Sequence, residues 1–141
     1  MVKLTESEGR NRLAAHDHGI LCTVHSERGV DAVPVAYAVS KDGYVGVPVD
    51  RVKPKVSTKL QRERNLKADP RATLLIEHWD RQDWSQLWWV RAELQWESDP
   101  PGELVDGLAA RLASRFRQYQ DQPFDQILVL RLVGLTGWAA S

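Results

Sequence analysis

The sequence predicts a mainly β fold, an antiparallel barrel of six strands accompanied by three helices. Three observations point there: six strand-like runs, hairpin turn chemistry between the early ones, and only three helical segments. Regular alternation of strands and helices would instead suggest a doubly wound parallel sheet. With 141 residues, 43% hydrophobic and 27% charged, the chain suits a single globular domain over residues 1–141 with one substantial core.

The first helix opens on a capping box, Thr5 and Glu8, and runs to about Ala15. His16-Asp17-His18-Gly19 ends it, with Gly19 suited to a left-handed closing turn. Ile20 to His25 is a β-branched strand, and Ser26-Glu27-Arg28-Gly29 supplies a turn. In the second strand Val33, Val35, Tyr37 and Val39 alternate with Ala32, Pro34, Ala36 and Ala38, giving one large and one small face. Pro34 lacks a ladder donor and belongs at an edge or bulge. Lys41-Asp42-Gly43 is a hairpin turn into the third strand, Tyr44 to Val49.

Pro54 forbids helix just before it, so Val52 to Lys55 reads as a loop. Thr58 and Gln61 form a second capping box, opening a helix that Asp69-Pro70 stops. Arg71 to Trp79 is the fourth strand. The fifth, Leu87 to Trp96, carries Trp88, Val90, Ala92, Leu94 and Trp96 on one apolar face, and Trp89 with Arg91, Glu93 and Gln95 on the other. Asp99 as cap and Pro100 at the first position open the third helix, whose apolar stripe is Leu104, Leu108, Leu112 and Phe116. Gln126 to Val133 is the last strand.

Charge is balanced overall but not locally. Between Arg51 and Arg71 eight basic residues face only Glu63 and Asp69, leaving +6 there and −6 elsewhere. A neutral protein with one basic segment suggests a local anion site rather than a nucleic-acid partner. Lys59 and Arg62 share a helix face, Lys53 and Lys55 lie in the loop before it, and the helix start adds backbone N–H groups. Six tryptophans are the second unusual feature. Trp88 and Trp96 read as core, whereas Trp79, Trp84, Trp89 and Trp138 suit an interface or the wall of a flat ligand.

Other chemistries lack candidates. No phosphate-binding glycine loop, nucleophile elbow or Cys–His pair is present, so no catalytic residue is assigned. His16 and His18, two apart, point away from each other on a helix, which argues against a metal site. No apolar run is long enough for a membrane span, and the polar N-terminus reads as cytoplasmic. Cys22, the single cysteine, reads as a buried small hydrophobe.

The order helix, strand meander, basic helix and strand, together with Asn65-Leu66-Lys67-Ala68-Asp69-Pro70-Arg71, resembles the pyridoxamine 5′-phosphate oxidase-like FMN/F420-binding split barrels. The compact layout and Leu87-Trp88-Trp89-Val90-Arg91-Ala92 are similar to its actinobacterial branch, assigned to the deazaflavin coenzyme F420. The resemblance implies a split-barrel homodimer with cofactor sites at the interface and a small-molecule substrate. It implies an oxidoreductase passing hydride from reduced F420 to an electron-poor acceptor. The alternatives are an FMN-dependent oxidoreductase or a non-catalytic flavin- or F420-binding protein. Val47, Pro48 and Val49 would lie along the ring, Arg62 and Asn65 match the phosphate-binding pattern, and Lys59, Lys53 and Lys55 are neighbours. The loop from Arg51 to Ser57 is longer than usual, so Lys53 and Lys55 could replace a typical contact or reach a polyglutamate tail. Trp79 is the candidate aromatic wall.

Overall fold

The structure is a computed structural model that describes residues 1–50 and 60–141. In chain order the elements are β1 (Val2–Lys3), α1 (Glu6–Ala15), β2 (His18–His25), β3 (Gly29–Ala36), β4 (Ala38–Val39) and β5 (Tyr44–Asp50). Then come α2 (Gln61–Ala68), β6 (Arg71–His78), β7 (Trp88–Glu97), α3 (Gly102–Arg115) and β8 (Phe124–Ala139). One antiparallel sheet runs β3-β2-β6-β7-β8-β5-β4, with β1 on β8. The two ends of that sheet, β3 and β4, are consecutive in the chain, so residues 29–39 pass the pairing from β2 to β5 and curl the sheet into a barrel.

The described residues thus form eight strands rather than six. The second expected strand divides at Tyr37, whose ring is fully buried, whose hydroxyl donates to Leu13 O at 2.6 Å, and whose N–H donates to Asp17 O at 3.2 Å. Those bonds to α1 and its exit turn the chain from one sheet edge to the other. Pro34 lies in edge strand β3, where a missing donor costs no ladder bond on the open side.

The last strand is twice the expected length, 16 residues, because Phe124 and Asp125 precede the expected run and Gly134 to Ala139 continue it. It pairs with β5 in its first half and with β7 in its second. Glu93 faces Gly134 while Leu94 faces Leu132, so Val133 is an extra residue that bends β8 around the barrel. The run Ile127 to Leu130 is apolar throughout because both of its faces are covered. Leu128 and Leu130 join Val45, Val47, Val49, Leu74 and Val90 inside the barrel. Ile127 and Val129 lie under Leu108 and Leu112 of α3. Gly46 admits that helix: a Cβ there would sit 3.0 Å from the Leu108 side chain.

Three end signals differ from expectation. The Thr5–Glu8 capping box of α1 forms, but Gly19 does not close the helix. Gly19 lies in β2, and a Cβ on it would come within 2.7 Å of Leu75 O, so it serves close packing. The cap of α2 is Leu60, without a side-chain bond, rather than Thr58, which lies outside the described residues. The cap of α3 is Pro101, two residues beyond the expected cap Asp99. No helix among the described residues is long and apolar enough to cross a membrane.

Candidate functional site

The site is built where β5 ends and α2 begins. α2 is short and weakly capped, so its position depends on its buried residues Leu66 and Asn65. Asn65 Nδ2 donates to Thr23 Oγ1 of β2 and to Asp31 Oδ2 of β3, each at 2.9 Å, and its Oδ1 accepts from Gln61 Nε2 at 2.9 Å. Both amide hydrogens are therefore committed to the protein. Asn65 holds the helix, which leaves it no donor for a phosphate.

Arg62, one turn earlier, is different. Its Nη2 donates to Pro48 O at a long 3.4 Å, and its Nε is buried without a partner. Burial lowers its pKa from the ordinary arginine value, with nearby Asp50 opposing that shift. A desolvated guanidinium with an unmet N–H is a strong attractor for an anionic acceptor. Asp50 accepts from the Tyr119 hydroxyl at 2.7 Å, which fixes the end of β5 against the turn after α3. Burial, and then this bond to Asp50, raises the Tyr119 pKa.

A cleft of about 350 Å³ opens beside Arg62, lined also by Thr23, Arg28, Asp31, Leu60 and Gln61. Arg28, at the β2–β3 turn, grips Asp31 through Nε and Nη2 at 2.9–3.2 Å. The Asp31 pKa is lowered, first by the Asn65 bond and then by Arg28.

The expected residues fall into four groups. Arg62 and Asn65 share α2, and Arg62 touches Pro48. Val47 and Val49 point into the barrel core, fully buried, and Pro48, on the opposite face of β5, is buried as well, with its carbonyl reached by Arg62. Lys53, Lys55 and Lys59 lie outside the described residues. Trp79 follows β6 at the end remote from α2, roughly 23 Å from the Ala72 that pairs with Thr23, taking ~3.3 Å per residue. It is half exposed and packs edge-on against Trp84, 6.2 Å between centroids.

Sequence reasoning missed Arg28, Asp31, Asp50 and Tyr119. Arg28 was hidden in ordinary turn composition, and Tyr119 lies 69 residues from Asp50, a contact with no local signal. The histidines need a correction. His16 ends α1 and His18 starts β2, so they are not on one helix, and their rings stack at 5.2 Å beside Trp88. Among the described residues no three His, Cys, Asp or Glu side chains gather as a metal group. Cys22 is half-buried on the outer face of β2, and burial raises its thiol pKa.

No family model matches the chain, and no curated protein matches it. Solved structures do. A FAD-binding protein from Mesorhizobium loti superposes with a TM-score of 0.71 at 16% identity, covering 96% of this chain and 93% of that one. A haem storage protein from Vibrio cholerae gives 0.65 at 16% identity, covering 92% of each. A protein from Corynebacterium glutamicum, assigned as a pyridoxamine 5′-phosphate oxidase, gives 0.59 at 17%, covering 96% and 94%. These likenesses define the class by its fold: a split β-barrel. That fold is common to a FAD-binding protein, a haem storage protein and a protein assigned as a pyridoxamine 5′-phosphate oxidase.

Proposed function

We propose that the chain is a cofactor-dependent oxidoreductase that holds a phosphate-bearing flavin-type cofactor, coenzyme F420 or FMN, at the α2–β5 cleft. The observation that carries this reading is Arg62, a desolvated cation with an unpartnered Nε beside the Pro48 carbonyl. The flavin-binding name of a structural neighbour favours the same ligand class. Arg62 would take the phosphate, and Pro48 with the β5 backbone would border the ring. Asn65 would keep Arg62 in place through its bonds to β2 and β3. When bound, the reduced cofactor supplies a hydride to an electron-poor acceptor, and the protein supplies binding and orientation.

The reading includes a homodimer. The outer face of the sheet leaves Val30 and Val133 exposed around a mostly apolar groove of about 610 Å³, with Ile20 exposed elsewhere on β2. Trp89 and Trp138, expected at an interface, are cross-strand partners on adjacent β7 and β8, both half-buried. A two-fold pairing of this face with strands antiparallel across the axis brings one copy's Trp79 end beside the other's Arg62 end. Only in that way would Trp79 wall the same ligand.

Equilibrium titration with F420, FMN and a single-stranded oligonucleotide tests the reading. Micromolar or tighter binding of F420 or FMN supports it. Binding of the oligonucleotide alone would replace it, although the exposed Trp79–Trp84 pair lies far from Arg62. Turnover with reduced cofactor and candidate acceptors separates a reductase from a carrier. Light scattering showing only monomer at micromolar concentration removes the dimer and the role of Trp79 with it.

A further inference from the structure

We propose that Arg28 is a second binding arginine of the cleft, so that the β2–β3 turn and α2 grip one phosphate group between two guanidinium groups. The inference rests on the cofactor reading above and assigns it a residue from a different element. Arg28 and Arg62 line the same cleft, one from the β2–β3 turn and one from α2.

Arg28 is set in place before any ligand arrives. His25 Nδ1 accepts the backbone N–H groups of Glu27 and Arg28, each at 3.0 Å, which fixes the turn. Asp31 takes Nε and Nη2 of Arg28, and Asn65 anchors Asp31 from the other side. Of the five guanidinium N–H groups, those on Nη1 have no protein partner among the described residues. A planar fork held on one edge presents its remaining edge in a defined direction, which is the geometry a phosphate oxygen pair accepts.

The two arginines contribute differently. Asp31 offsets the charge of Arg28, so Arg28 acts through directed hydrogen bonds rather than net charge. Arg62 makes no ion pair among the described residues and acts through charge as well. Lysine at position 28 retains the charge and loses the fork, so it should not substitute. With Arg28 largely exposed, the Arg28–Asp31 pair on its own would be an ordinary surface ion pair, contributing little. The experiment separates these roles.

Wild type, Arg28→Gln, Arg28→Lys and Arg62→Ala are titrated with FMN and F420, each against its phosphate-free form. Arg28→Gln and Arg28→Lys should each weaken the phosphorylated ligand about tenfold, the loss of one charge-assisted bond, and leave the phosphate-free form unchanged. Melting temperatures of the variants confirm that the fold persists, and Arg28→Lys keeps a cation beside Asp31 should the glutamine variant unfold. Unchanged affinity in both Arg28 variants, or equal losses for both ligand forms, overturns the proposal. If Arg62→Ala loses the phosphate preference while the Arg28 variants keep it, this inference alone fails. If wild type shows no phosphate preference, the cofactor reading fails and this one with it.

Discussion

Asn65 and Asp31 meet across 34 residues of chain, with Nδ2 2.9 Å from Oδ2, and through that contact a short basic helix is joined to an edge strand. The same nitrogen bonds Thr23, which is only 3% exposed. Removing the amide strands a buried hydroxyl and frees α2 from both strands. Asn65→Ala should therefore cost about 1–3 kcal/mol, the range for leaving a buried polar partner unmet. Urea unfolding measures it through the midpoint at constant slope. A change under about 0.5 kcal/mol, no more than an ordinary surface substitution, would mean that Leu66 alone holds the helix.

Gly107 offers the opposite sign. It lies within α3, and a Cβ built on it meets nothing within 4 Å. Gly107→Ala should stabilise the protein by up to about 1 kcal/mol, since alanine restricts the unfolded chain and favours helix. A raised melting temperature checks it. A lowered one would show that this face of α3 is covered by something in solution.

His16 makes stability depend on pH. Burial lowers its pKa from 6.5, and the stacked His18 adds to the shift, while Asp17 and Glu77 oppose it. His78 also faces it, Arg12 lies over the Trp88 ring it abuts, and Arg115 donates to its carbonyl. Between the folded value and 6.5 the unfolded chain binds more protons, so stability rises with pH there and levels off above. The paired carboxylates act lower down. Asp69, held at about 2 by Arg71, contributes stability present above the usual carboxylate range and lost as pH falls toward that value. Denaturation at pH 5, 6 and 7, values spanning the histidine range, should thus show wild type gaining stability with pH. His16→Gln should flatten that rise. An unchanged slope in the variant would remove His16 as its source.

Much of the barrel was legible because alternation survives wherever one face of a strand meets the core. β7 is the clearest case, with Val90, Ala92 and Leu94 buried and Arg91, Glu93 and Gln95 exposed between them. Elements bound by distant partners were not legible. Nothing local to Tyr37 announces the bond to Leu13 that splits its strand, and nothing in Gly134-Leu135-Thr136-Gly137 resembles a strand until β7 pairs with it. Helix starts differed too: Asp99 satisfies a local capping pattern, yet α3 is capped at Pro101 and α2 at Leu60, neither by a side-chain bond. At the site, the match at Arg62 and Asn65 found the right helix. It could not distinguish the residue with an unmet donor from the one whose donors are already used.

That distinction yields the last prediction. Arg62 and Asn65 sit three apart on α2, but only Arg62 retains an unmet buried donor. Arg62→Met keeps most of the packing stem and removes the charge. Because its buried Nε gains nothing from the protein now, the variant should be close to wild type in stability, unlike Asn65→Ala. Binding should respond in the reverse order. Losing a charge-assisted bond costs typically about 1.5–3 kcal/mol, so affinity for the phosphorylated cofactor should fall by roughly one to two decades. The phosphate-free cofactor should bind wild type and variant alike. Added salt should weaken wild-type binding more than that of the variant, since one screened charge has gone. Paired measurements decide the matter: urea midpoints for both variants, and titrations of both with each ligand form at two salt concentrations. If Arg62→Met loses stability as Asn65→Ala does, and binds both ligand forms equally poorly, Arg62 supports the fold. The phosphate site would then have to be sought among Arg51, Lys53 and Lys55.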